Sequence, residues 1–110
     1  MNKKAPVRNA GKIKSKCIAD KLTAGEQVQC RPRGSSMEPK LKSGQLITIS
    51  PNLSNLNKGN IVFCKVKGKY CVHLLTAIQG ERYQISNNHG HINGWIGKSD
   101  LFGKVVKVEN

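Results

Sequence analysis

The sequence predicts an all-β fold, mainly antiparallel sheets in a small barrel or sandwich, with a short N-terminal helix or flexible arm. Three observations predict it. Short apolar runs rich in β-branched residues recur from Gln45 onward. Gly, Asn and Pro separate those runs at close intervals. The length of 110 residues leaves room for one domain built on a packed core.

Each element follows in chain order. Met1 to about Lys16 reads as a mobile basic arm, and Lys14 to Leu22 as a short helix without a convincing cap. Residues 1–22 are therefore expected to form a basic arm, partly helical, and residues 23–110 the β domain. Thr23 to Gln29 is polar and contains Gly25, which suits a connector or an edge strand. Arg31-Pro32-Arg33-Gly34 is loop chemistry. Gln45 to Ser50 is a strand ended by Pro51, and Asn60 to Lys67 is the next one. Gly68 turns the chain into the run Lys69 to Ile78; Gln79-Gly80-Glu81 turns it again into Arg82 to Ser86. That makes two successive hairpins. Asn87 to Gly97 is rich in Asn and Gly and reads as loop, and Leu101 to Val108 closes the chain as a last strand.

The net charge of +13 favours acidic partners: nucleic acid, an anionic surface or an acidic protein. Six basic residues and no acidic one fall between Met1 and Ala19. That segment serves either as a solvated tail or as a non-specific anchor. No stretch approaches the roughly 20 apolar residues that span a bilayer, and the N-terminus lacks the apolar core of a secretory signal. The four cysteines show no C-x-x-C spacing. Together these features predict a cytoplasmic protein with reduced thiols.

Two residues can carry chemistry. Ser36 lies in the segment Gly34-Ser35-Ser36-Met37-Glu38-Pro39, a glycine-preceded loop just before a strand. Such a loop can expose a hydroxyl and leave backbone N–H groups free for an oxyanion. A serine nucleophile needs a base. His73 stands in the strand-like run Tyr70 to Leu75 and shares a face with Cys71, Leu75 and Ala77. A histidine on an apolar face is also an ordinary half-buried core residue. Cys71-x-His73 and His89-x-His91 offer four zinc-type donors, but their spacing fits no common zinc motif, so no metal and no cofactor are expected.

The segment Gly34 to Pro39, with Leu41 and Gly44, resembles the nucleophile box of type I signal peptidases and of the self-cleaving SOS repressors and mutagenesis proteins, the S24/S26-like serine peptidases. Lys58-Gly59-Asn60-Ile61-Val62-Phe63 resembles the family's next strand. Tyr70 to Leu74 with Gly80 resembles the strand that carries the general base. Ile85 to Asn88, Gly94 and Leu101 to Val105 resemble the late conserved box and its closing strand. The likeness runs from about Arg31 to Val108.

The resemblance implies a serine endopeptidase with a polypeptide substrate. Ser36 would be the nucleophile, its own N–H the main oxyanion donor, with Gly34, Ser35 and Met37 as supporting loop residues. Bacterial relatives use a lysine base; here His73 stands there, as in the signal peptidase of the eukaryotic secretory membrane. The family's supporting aspartate falls near Asn93, with Asp100 and Asn88 as further orienting candidates. Gln45 and Asn60 replace acids of the family pattern at turn positions. SOS repressors cut themselves at an Ala-Gly bond, and Ala24-Gly25 precedes Ser36 here. A member without a membrane span is expected to be a phage-type regulatory or processing protein. The alternative is an inactive member that binds nucleic acid or protein through its basic surface.

Overall fold

Ile18, Ala19 and Leu22 recur on one face of the N-terminal segment, as an amphipathic helix requires. The computed structural model, which describes residues 15–110, forms helix α1 at Ser15–Thr23 and buries those three residues. The basic arm expected before it lies outside the described residues as far as residue 14. Ser15 and Lys16 belong to the helix, where Lys16 pairs with Asp20 at 3.1 Å on the exposed face.

The helix ends through Gly25. Its φ of +89° suits a residue without a Cβ. The Gly25 N–H donates to the Leu22 carbonyl at 3.0 Å and the Glu26 N–H to the Lys21 carbonyl at 2.9 Å. This pair of bonds is a Schellman cap. The Ala24-Gly25 dipeptide therefore has a structural task, which its sequence alone did not reveal.

Seven strands follow: β1 Val28–Cys30, β2 Leu46–Ser50, β3 Ile61–Val66, β4 Lys69–Gln79, β5 Arg82–Ser86, β6 Ile92–Gly97 and β7 Leu101–Glu109. They form one sheet in the order β1-β2-β7-β3-β4-β5-β6, with every neighbouring pair antiparallel. The fold is all-β, as predicted. One expectation fails. The segment Asn87 to Gly97 read as loop, but its second half is strand β6. Gly94 looked like a breaker, yet a Cβ there would lie 3.2 Å from Val66 Cγ1, so the position serves close packing.

The β3–β4 hairpin separates two cores. Phe63 and Leu74 face Ile18, Leu22, Val28, Met37, Ile47 and Ile49. Val62, Cys64 and Leu75 face Ile85, Ile96 and Leu101. Strand side chains alternate between faces, so burial on both faces requires a continuous apolar run rather than an alternating one. That is why this hairpin stood out in the sequence. Register shifts interrupt the ladders of β2–β7, β3–β7, β4–β5 and β5–β6. Such bulges sharpen the local twist and bend the sheet.

Candidate active site

The loop carrying Ser36 is held from three sides. From below, Met37 and Leu41 are buried in the core, and the Leu41 N–H donates to the Met37 carbonyl at 3.0 Å. At its base, the Gly34 N–H donates to Ser43 Oγ at 3.1 Å, and Arg31 Nη1 donates to the Gly44 carbonyl at 2.9 Å. From above comes the turn after β5. There the Asn88 N–H donates to the Ser36 carbonyl at 2.8 Å, and Asn88 Nδ2 donates to the Glu38 carbonyl at 3.0 Å. His89 Nε2 lies 3.0 Å from the Ser35 carbonyl. A carbonyl only accepts, so His89 carries its proton on that nitrogen.

The turn itself is stiffened by Asn87. Its Oδ1 accepts from the His89 N–H at 2.8 Å and from the His91 N–H at 3.0 Å. This is the usual way an asparagine side chain shapes a turn.

His73 comes from β4, where Val62 is its register partner on β3. Its Nε2 lies 3.0 Å from Ser36 Oγ. The two residues are 37 positions apart in the chain. His73 Nδ1 is buried and has no hydrogen-bond partner among the described residues. The same is true of Asn93 Oδ1. Asn93 is the extra residue of a bulge: Ile85 pairs with Gly94 and Ser86 with Ile92.

A family profile described as Peptidase S24-like matches residues 8–106. The chain belongs to the Peptidase S24-like family. No curated protein matches the chain. Among the described residues no helix is long and apolar enough to cross a membrane.

In this S24-like chain the Ser36–His73 pair opens onto a cleft of about 340 Å³. Its lining includes Ile18 of α1, Arg31 and Arg33 of the loop, Tyr70 and Cys71 of β4, and Ser36 and His73 themselves. Phe63 and Tyr70 stack with ring centroids 5.8 Å apart and form one apolar wall.

The remaining sequence candidates are placed as follows. Asn88 bonds the backbone of the Ser36 loop. Asp100 sits in a short 3-10 turn, Lys98–Asp100, and its charge contributes to pushing the Cys64 thiol up. Gln45 and Asn60 stabilise turns: Gln45 Oε1 accepts from the Lys42 N–H at 2.7 Å and Asn60 Oδ1 from the Asn57 N–H at 2.8 Å. The four zinc-type donors do not converge. Among the described residues no three metal-ligating side chains cluster, because the His89 ring is turned to Ser35 while Cys71 and His73 stay on β4.

Sequence reasoning missed two contacts. One is the His89 bond to Ser35, between residues 54 positions apart, for which no spacing gives a signal. The other is the pairing of Cys71 with Cys64, whose sulfurs lie 3.7 Å apart. Their placement in two apolar runs joined by a turn could have suggested it.

Proposed function

We propose that this S24-like domain is a serine endopeptidase in which Ser36 is the nucleophile and His73 the general base. The observation that carries the reading is the 3.0 Å approach of Ser36 Oγ to His73 Nε2, which is hydrogen-bond reach. His73 Nε2 takes the hydroxyl proton as Oγ attacks a peptide carbonyl. It then returns that proton to the leaving amine, and water releases the acyl group by the reverse route. The Ser36 N–H makes no hydrogen bond among the described residues, which suits it to receive the oxyanion.

When Nε2 accepts from the serine, Nδ1 must carry the other ring proton. Asn93 Oδ1 is a buried acceptor that makes no hydrogen bond to His73 or to any other described residue; we assign it to orient His73 once the serine proton has moved to Nε2. An amide holds the ring but supports an imidazolium less well than a carboxylate. The substrate is a polypeptide, bound as an extended strand along the cleft. The setting is a reducing, cytoplasmic one, in keeping with four free thiols. A regulatory or processing role of the phage type fits such a domain.

The test is incubation of the chain with a defined peptide mixture, read by mass spectrometry for new termini. Termini that vanish with Ser36→Ala support the reading; none above that control would overturn it.

A second reading rests on one observation, the absence of a carboxylate partner for His73 Nδ1 among the described residues. Under it the domain is a non-catalytic module that binds nucleic acid or an acidic protein through its +13 charge. Affinity for a DNA or RNA duplex that falls steeply with salt, unchanged by Ser36→Ala, would favour it.

A further inference from the structure

Cys64 and Cys71 stand directly opposite each other in the β3–β4 ladder. Opposed residues of an antiparallel pair have Cα atoms about 4.5 to 5.5 Å apart. That is inside the span of about 4.4 to 6.8 Å that a disulfide bridges. Their side chains leave the sheet on the same face, and the two sulfurs are 3.7 Å apart.

The two thiols differ in access and in acidity. Cys64 is fully buried, whereas Cys71 is half-buried and lines the cleft beside Ser36 and His73. The Cys64 S–H directed at Cys71, with His73 on the same face, draws the Cys71 thiol down to about 5 against the cost of burial. The same contact, together with burial, pushes Cys64 up. Thiolate character on the reachable sulfur and a protonated neighbour on the buried one is the arrangement of an attacking and a resolving cysteine.

We propose that Cys64 and Cys71 are a redox-active pair, Cys71 lining the cleft and Cys64 buried behind it, closed to a disulfide by a peroxide that enters through that cleft. The Cys71 thiolate attacks one oxygen of hydrogen peroxide. The O–O bond breaks, and the departing hydroxide takes a proton and leaves as water. Cys71 is then a sulfenic acid. The Cys64 sulfur attacks it, the S–O bond breaks, and a second water leaves with the Cys64 proton. Two thiols lose two electrons to one peroxide. A dithiol reductant reverses the oxidation. The ladder register and the sulfur separation make this pair whether or not Ser36 cleaves peptides.

The experiment uses the full chain with Cys17→Ser, which removes the exposed thiol on α1 and leaves three cysteines. After treatment with hydrogen peroxide and removal of the excess, thiols are counted in denaturant. The expected count falls from three to one, with a mass loss of two hydrogens and a digest fragment joining Cys64 to Cys71. Dithiothreitol should restore all three. With Cys64→Ser added, a sulfenic acid on Cys71 should be trapped by dimedone. An unchanged thiol count, a disulfide through Cys30, or dimedone labelling spread equally over the cysteines would overturn the proposal.

Discussion

The Asn88 N–H donates to the Ser36 carbonyl at 2.8 Å, so the turn after β5 holds the very residue whose hydroxyl meets His73. The side chain of Asn88 adds a second bond to Glu38 two residues on. The Ser36 loop and the turn form one unit, although about 50 positions separate them in the chain.

Asn88→Ala keeps the backbone bond and removes the one to Glu38. Loss of a part-buried hydrogen bond costs about 1 kcal/mol, which lowers Tm by about 4–8 °C in a domain near this size. Peptide cleavage should fall through kcat more than through KM, because the loop loses definition around Ser36. A thermal melt and a cleavage assay check both. A variant with unchanged Tm and unchanged kcat would mean that the backbone bond alone suffices.

Ser36→Ala and His73→Ala should each lower kcat by about a thousandfold or more, and the double variant should fall little further, because the two act as a unit. Asn93→Asp is the more informative change. On the assignment of Asn93 as the residue that orients His73, the added carboxylate supports the imidazolium better than the amide does, and cleavage near pH 8 should rise about tenfold. A fall to the level of Asn93→Ala would show that Asn93 does not orient His73.

Gly103→Ala tests how α1 is seated. A methyl group at Gly103 would lie 2.6 Å from Ile49 Cγ2, 2.8 Å from the Ser50 carbonyl and 3.2 Å from Leu22 Cδ1. Two of these neighbours belong to strand β2, so neither can swing away as a flexible tip would. Overpacking of this kind costs about 1–3 kcal/mol. Denaturant unfolding should show a lower midpoint at an unchanged slope.

The fold was legible where local chemistry agreed with tertiary need. The runs that became β2 to β5 and β7 are β-branched and apolar, and the turns between them carry Gly, Pro or Asn. Strand β6 was not legible, because Gly94 is tolerated there for reasons of close packing and bulge geometry that appear only in three dimensions. The Ser36 loop and His73 were legible through motif and strand periodicity. The Asn88 and His89 clamps on that loop were not, since they join backbone carbonyls to a distant turn and leave no spacing to read.

Cys30 supplies a prediction about alkaline stability. It lies at the end of β1, 6% exposed, and burial raises its thiol from 9.0 to about 11. The folded state therefore holds this proton more tightly than the unfolded chain does. Its stabilising effect is full below the unfolded value and is lost as pH rises through the folded one. The window is pH 9 to about 11. Across it the native chain should lose more stability than Cys30→Ala, which has no proton to release. Chemical denaturation at pH 8 and at pH 10.5 measures both chains. The gap between them should narrow at the higher pH, since Cys30→Ala starts less stable by the lost packing. A constant gap would mean that the Cys30 thiol is as acidic in the fold as in the unfolded chain.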